Sequence, residues 1–338
     1  MIHIAFCINT NYVMPLGVLM ISLLHFNKAE ITFHIVSKDI GEHDLFLLEK
    51  NIEHYNNAKI IFHRITPEHD LKFIIRNDDH LSVETYYRFF LPELLSSNIN
   101  KVLYLDADVI CVDSIQQLFD TDLTGCAVGL CYDTNYNEIQ KFNRLEYDYK
   151  YGYYNAGVML INLDYWRKKQ LANTLIDFVV HNPEKCLCHD QDAINAICHK
   201  SLKILPLRYN CQTAFFRLYA WENRKEYPKQ LAYSDTIECN KWHEVKEAIE
   251  RPCLIHFTAR IKPWHKESHA PFGSVWRKFY SKSLWKDRRL KSKYSKLKFL
   301  KVSVHNLLAK MHIMPPVGID IYPEEWKLTE KCYLNKIP

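Results

Sequence analysis

Residues 2–26, IHIAFCINTNYVMPLGVLMISLLHF, decide the fold class. Residues 2–8 form a short, continuous apolar run, the pattern of a strand buried on both faces. Asn9, Thr10 and Asn11 interrupt it as a polar loop. Residues 15–26 then read as a buried helix with proline in its first turn, where the missing N–H has no partner to lose. The alternation continues outward from this unit. Residues 31–36 and 59–65 read as strands, and residues 45–52 carry helical spacing between them. A helix is expected from Ser82, bearing Tyr86, Tyr87, Phe89, Phe90 and Leu94. Strands are expected at 102–105, 126–131, 157–163 and 254–257, and helices at 164–180 and 190–198. Strand–helix alternation of this kind predicts an α/β fold, a mostly parallel sheet with helices on both faces.

The bulk composition agrees and excludes several classes. A chain of 338 residues with 48% apolar side chains suits one large α/β domain plus an appendage. Only 8 residues are glycine, and neither a GxGxxG after a strand nor a Walker-type loop is present. A bound nucleotide would need another way to hold its phosphates. The 11 cysteines are scattered without a small-domain disulfide pattern, so reduced thiols in a cytoplasm are expected. The apolar segment 13–24 falls short of the roughly 20 residues needed to span a bilayer, which predicts a soluble or peripheral protein. The formal charge of +5 is mild. It is unevenly spread: residues 277–301 hold 11 Lys or Arg and one acid, Asp287.

Four groups of residues carry chemistry. Lys101-Val-Leu-Tyr-Leu-Asp106-Ala-Asp108 places two carboxylates where a buried strand ends, and ligands in open α/β sheets gather outside the carboxyl ends of strands. Asp106 and Asp108 can approach one divalent cation there, as hard oxygen ligands for magnesium or manganese; alternatively they are two solvated acids closing a strand. Cys253-Leu-Ile-His256-Phe-Thr-Ala-Arg-Ile-Lys262-Pro-Trp-His265 offers a strand-end imidazole to the same metal. Its Lys262 would be a point charge for a diphosphate. A structural role for His256 is the plainer alternative. Tyr153-Tyr-Asn155-Ala-Gly-Val sets Asn155 before a strand, as a turn residue or a partner for a sugar hydroxyl. His189-Asp190-Gln191-Asp192 opens a helix, with Asp190 either an N-cap or a sugar ligand. Cys186, Cys188, His189, Cys198 and His199 resemble a zinc cluster by count but lack zinc spacing.

In this order and at these distances, Leu-Tyr-Leu-Asp106-Ala-Asp108, Asn155-Ala-Gly-Val, Asp190-Gln191-Asp192 and His256-x5-Lys262-Pro-Trp resemble glycosyltransferase family 8. That family includes bacterial lipopolysaccharide and lipooligosaccharide galactosyl- and glucosyltransferases. The resemblance spans residues 2–270. It implies a GT-A, Rossmann-like fold over residues 1–275 and retaining transfer of galactose or glucose from a UDP-sugar to a lipopolysaccharide or similar lipid-linked glycan. It implies that Asp106, Asp108 and His256 bind manganese, with magnesium as the alternative ion. Lys262 would sit at the diphosphate, and Arg88 and Ala107 in the donor site. Cys7, Asn9 and Asn11 would meet the uridine, and Asn155, Asp190 and Gln191 would line the sugar pocket. Gln191, Asp190 and Lys262 are the catalytic candidates. Two positions depart from the family pattern: Asn9 where Asp is frequent, and Ala259 where Gly is usual.

Residues 276–338 complete the expectation as a basic, aromatic, helical tail. Cations interleaved with Phe279, Tyr280, Trp285, Tyr294 and Phe299 fit attachment to anionic lipid. That would make the protein cytoplasmic and peripheral on the inner face of the bacterial inner membrane. Packing on the main domain is the alternative, and no nucleic-acid signature accompanies the cations. Two rival functions stand beside the transferase: a nucleotide-sugar binder without turnover, and a metal-dependent phosphohydrolase, which would want more carboxylates for a second ion.

Overall fold

Among the described residues, ten strands, β1 (Ile2–Cys7), β2 (Ile31–Ser37), β3 (Ala58–Arg64), β4 (Lys101–Leu105), β5 (Val109–Cys111), β6 (Val128–Tyr132), β7 (Tyr154–Asn162), β8 (Leu202–Ile204), β9 (Cys211–Gln212) and β10 (Leu254–His256), build two sheets. The computed structural model describes residues 1–66, 69, 83–134, 138–216, 239–310 and 325–337. The main sheet runs β3-β2-β1-β4-β7-β6-β8. β7 is antiparallel to both β4 and β6, while β3, β2, β1 and β4 pair in parallel, as do β6 and β8. The expected mostly parallel sheet is therefore present. The smaller sheet, β5-β10-β9, lies beyond the end of β4.

Alternation along the strands explains the layering. Ile4 and Phe6 of β1 and Leu103 and Leu105 of β4 belong to one buried apolar cluster. Ala5, Val102 and Tyr104 belong to the other. Both faces are thus covered, as near-continuous apolar strands require. The helix Val13–Phe26 fills the first layer, and its residues from Pro15 to Leu24 are buried without interruption. It begins two residues before the expected start, so Pro15 is its third residue and still needs no partner for its nitrogen.

Several elements differ from the sequence expectation for local reasons. Val83–Phe90 is a 3-10 helix, followed by a short α-helix at Leu91–Leu94. Ser82, the expected start, lies outside the described residues. The helix expected at 164–180 is two, Leu163–Lys168 and Leu171–His181, separated where Gln170 takes a left-handed φ of 50°. Amphipathic periodicity continues across such a break and hides it. β7 begins three residues earlier than expected because it carries a bulge, which alternation cannot show.

The C-terminal region is in part core. In the helix Gly273–Tyr280, Val275, Trp276 and Phe279 are buried in the first apolar cluster together with Trp285. Gly17 of the helix Val13–Phe26 leaves the notch that Trp285 fills; a methyl there would come within 2.2 Å of the indole. Aromatics expected to face lipid at 279–285 therefore face protein, as the alternative reading held. The later helix Lys296–Lys310 does carry exposed apolar residues, Leu297, Leu300, Val304 and Leu307. Among the described residues, no helix is long and apolar enough to cross a membrane, and every cysteine but Cys239, of whose side chain nothing is described, is a free thiol.

Candidate functional site

The site forms where β4 ends. Asp106 and Asp108 follow β4 and flank Ala107, which is nearly buried. β10 runs antiparallel to β5, pairing His256 with Val109, and so carries the imidazole back to the two acids. One ligand atom from each of Asp106, Asp108 and His256 lies within 4.8 Å of the others. His256 Nε2 stands 3.2 Å from Asp108 Oδ1 and 3.9 Å from Asp106 Oδ2. Asp108 Oδ1 is buried and, among the described residues, accepts no hydrogen bond. A buried carboxylate oxygen left without a donor is costly. A divalent cation would satisfy it, and two carboxylates with one imidazole are a suitable donor set. The residues fit the implied metal.

The protonation of His256 follows from the hydrogen-bond network. The Gly157 N–H donates to Asn155 Oδ1 at 3.0 Å. That oxygen also accepts from Asn210 Nδ2 at 2.8 Å, so the amide of Asn210 must turn its oxygen the other way. Asn210 Oδ1 is 3.0 Å from His256 Nδ1. An amide oxygen only accepts, so Nδ1 carries the proton and Nε2 presents a lone pair to the acids. A backbone N–H thus sets the tautomer of the candidate ligand through two buried amides.

Gly157 has a second role, one of space. The β6–β7 register slips between Leu130 and Cys131, so that Leu130 pairs with Met159 and Cys131 with Asn155. The intervening residues bulge toward the acids, and the Asp106 N–H donates to the Gly157 carbonyl at 2.8 Å. A Cβ on Gly157 would lie 2.2 Å from His256 Cε1 and 2.7 Å from Asp106 Oδ2. Only glycine leaves the cluster room.

Cations hold the acids from two sides. Lys262 Nζ donates to Asp108 Oδ2 at 2.7 Å and to the Phe257 carbonyl at 2.5 Å. Burial pushes the Asp108 carboxyl up, but Lys262 beside it prevails and holds it well below the ordinary range. Arg88 is buried and stacks 4.1 Å over the Tyr104 ring. It donates to Asp106 Oδ1 at 3.0 Å and pairs with Asp190 Oδ2 at 3.0 Å. Tyr104 donates to the same Asp106 oxygen at 2.8 Å. Asp190 opens the helix Asp190–Cys198, but His189 is the N-cap residue. Burial raises the Asp190 carboxyl against the pull of Arg88, and Thr85 donates to it. Asp190 therefore secures Arg88 beneath the metal acids.

Gln191 and Asn155 meet beside this cluster. Gln191 Oε1 accepts from Asn155 Nδ2 at 3.1 Å and from the Ala156 N–H at 3.0 Å. Its Nε2 donates to Asp133 Oδ2 at 3.3 Å and to Tyr153 Oη at 3.1 Å. Asn155 Nδ2 also reaches Asp133 Oδ2 at 3.1 Å. Gln191 is thus fixed at both ends of its amide, with a nearly buried carboxylate, Asp133, beside it.

Cys7 ends β1 near Arg88, Asp106 and Asp190, where burial pushes its thiol up. Asn9 caps the turn that follows, its Oδ1 accepting from the Asn11 N–H at 3.0 Å. An aspartate would cap in the same way, so this departure preserves the loop. Asn11 lines a cleft of about 940 Å³ that also includes Asp108 and Lys262. Sequence reading missed Asn210, Asp133, Tyr153 and the spatial role of Gly157. Gly157 stood inside a quoted motif, whereas Asn210 and Asp133 had no motif to mark them.

Comparison with known proteins bears on this arrangement. The profile of "Glycosyl transferase family 8" matches residues 3–268. General stress protein A of Bacillus subtilis is 26% identical over 290 residues, covering 84% of this chain and 94% of that protein. A lipopolysaccharide 1,2-glucosyltransferase of Escherichia coli is 26% identical over 289 residues, covering 84% of this chain and 79% of its own. The crystal structure of the galactosyltransferase LgtC with donor and acceptor sugar analogues superposes with a TM-score of 0.69 at 25% identity, covering 85% of this chain and 99% of that one.

Proposed function

The chain belongs to glycosyltransferase family 8, and on that premise we propose that it moves glucose or galactose from a UDP-sugar to a lipid-linked glycan, lipopolysaccharide core foremost, with retention of configuration. It has the GT-A fold and is a hexosyltransferase by its relatives. The observation that carries the donor reading is the convergence of Asp106, Asp108 and His256 on one point with Lys262 against Asp108. The chain has no glycine-rich phosphate loop, so a cation held by these three side chains takes its place.

A divalent ion held by Asp106, Asp108 and His256 would supply Lewis-acid charge at the diphosphate, and the imidazole in the donor set weighs toward manganese over magnesium. Lys262, already beside Asp108, adds a fixed positive charge at the same leaving group. Arg88 keeps the Asp106 carboxylate oriented and, paired with Asp190, leaves neither acid uncompensated. Cys7, Asn9, Asn11 and Ala107 form the nucleoside side of the site. Asn155 and Gln191 face the sugar as an amide pair pinned by Asp133 and Tyr153.

Gln191 is a poor nucleophile, and both ends of its amide are engaged. This favours attack by the acceptor on the leaving-group face, with Gln191 stabilising positive charge at the anomeric carbon and Asp190 acting through Arg88. For membrane attachment, the exposed Leu297, Leu300, Val304 and Leu307 recur at helical spacing among the lysines of Lys296–Lys310. That helix, rather than the buried aromatics before it, would rest on anionic lipid at the cytoplasmic face. Calorimetry with manganese tests the donor side: UDP-glucose or UDP-galactose should bind, and GDP-mannose should not. Equal binding of all three would overturn the uridine assignment.

A further inference from the structure

We propose that Arg288, Arg289, Lys291 and Lys293, which line the active-site cleft, form a binding subsite for a phosphate-bearing sugar of the acceptor. The cleft of about 940 Å³ is lined by Asp108 and Lys262 and also by Arg288, Arg289, Lys291 and Lys293. Among the described residues, six Lys or Arg line it against two acids, Asp44 and Asp108. Lys262 and Asp108 pair with each other. Arg288, Arg289, Lys291 and Lys293 form no ion pair among the described residues. The donor's diphosphate does not account for them. Its charge would be met by the divalent ion and Lys262. Four exposed cations within six residues of one another in the chain repel one another unless an anion joins them.

The segment carrying these cations is held in place by the fold. Lys266 N–H donates to the Lys291 carbonyl at 3.2 Å, and His265 pairs with Lys291 as a short parallel bridge. The Glu267 carboxylate accepts from the Lys293 and Tyr294 N–H groups at 2.5 and 3.0 Å. Upstream, Trp285 fills the Gly17 notch and the Leu284 N–H donates to Asn51 at 3.0 Å. The loop that supplies Lys262 and the basic segment are thus laced together, and an anion on one is positioned relative to the other. Trp264 also lines the cleft and is only partly buried, giving a flat apolar surface on which a sugar ring can rest. Cations beside an indole suit a phosphorylated sugar better than a bare anion.

This inference rests on the metal end being the donor site. Its test is a titration with glucose 6-phosphate, glucose and inorganic phosphate, on the full chain with manganese, with and without saturating UDP. Glucose 6-phosphate should bind saturably whether or not UDP is present. Binding should weaken at least tenfold in the Arg288→Gln/Arg289→Gln/Lys291→Gln/Lys293→Gln protein, while UDP affinity stays within threefold. All four side chains are exposed, so the melting temperature should hold. Displacement of glucose 6-phosphate by UDP, inorganic phosphate binding as tightly as the sugar phosphate, or equal weakening of UDP would each overturn the subsite. Loss of binding to phosphatidylglycerol vesicles in the variant, with glucose 6-phosphate unaffected, would give the cations to the membrane and overturn it too. If UDP fails to bind but the sugar phosphate behaves as stated, the subsite stands and the donor reading falls.

Discussion

Replacing Gly157 by alanine should destroy the metal site while leaving the fold. The added Cβ would lie 2.2 Å from His256 Cε1 and 2.7 Å from Asp106 Oδ2. Carbon atoms in contact settle at about 3.5–4.0 Å, so the imidazole must retreat by more than about 1 Å. Metal–ligand distances tolerate only about 0.2 Å. Retreat is opposed because His256 Nδ1 is tied to buried Asn210 at 3.0 Å. Manganese affinity should therefore fall at least about 100-fold, near 2.7 kcal/mol. Overpacking costs about 1–3 kcal/mol of stability, so the metal-free protein should melt a little lower but cooperatively. Electron paramagnetic resonance titration of manganese, with and without UDP, reads the affinity, and calorimetric melting reads the fold. Gly41→Ala is the control, since nothing lies within 4 Å of its added carbon. Manganese binding by Gly157→Ala within threefold of the parent would refute the placement of these ligands.

Other consequences are checked with the same protein. Asn210→Leu should weaken manganese about 10–100-fold by freeing the His256 tautomer, whereas Asn210→Asp, which still accepts from Nδ1, should stay nearer the parent; equal losses in both would remove the tautomer argument. Gln191→Ala should lower kcat more than tenfold, about 1.4 kcal/mol, with a smaller change in KM, and a loss below tenfold in steady-state kinetics would make its role untenable. Stability should also fall with acidification through the row His3, His34 and His63, whose rings approach to 3.0 and 2.9 Å beside Lys59 on β3. Burial, then the neighbouring cations, lowers His34 to about 3, so the folded protein keeps it neutral while the unfolded chain protonates near 6.5. Stability from this residue is present above pH 6.5 and is lost as pH falls toward 3, by up to about 1.4 kcal/mol per unit. Melting between pH 7 and 5 should flatten in His34→Gln, and parallel curves would contradict the assignment.

The sequence made legible whatever depends on apolar period and on compact motifs. The buried strands, the helix Val13–Phe26 and the acids closing β4 were readable because each is a local pattern. Asp106, Asp108, His256 and Lys262 were expected together and meet within hydrogen-bond or ligand distance. What escaped depends on register and on distant contacts. The β7 bulge that brings Gly157 to the acids leaves the apolar pattern unchanged. Asn210 follows no motif, and its worth lies in joining His256 to Asn155 across the fold. The basic region from 277 announced its charge, but composition did not reveal that Trp276, Phe279 and Trp285 are core, or that residues 288–293 wall the cleft. A truncation near residue 272 would consequently strip core side chains. A membrane test should instead replace the exposed Leu297, Leu300, Val304 and Leu307 by serine and follow flotation with anionic liposomes: lost flotation with unchanged melting is expected, and retained flotation would sink the attachment.

The most direct test of the central claim is UDP release by purified protein over a panel of UDP-sugars, with manganese and with EDTA, for the parent and Asp108→Ala. The account predicts manganese-dependent release from UDP-glucose or UDP-galactose, abolished by EDTA and by the substitution. Release that persists in Asp108→Ala or in EDTA would contradict it.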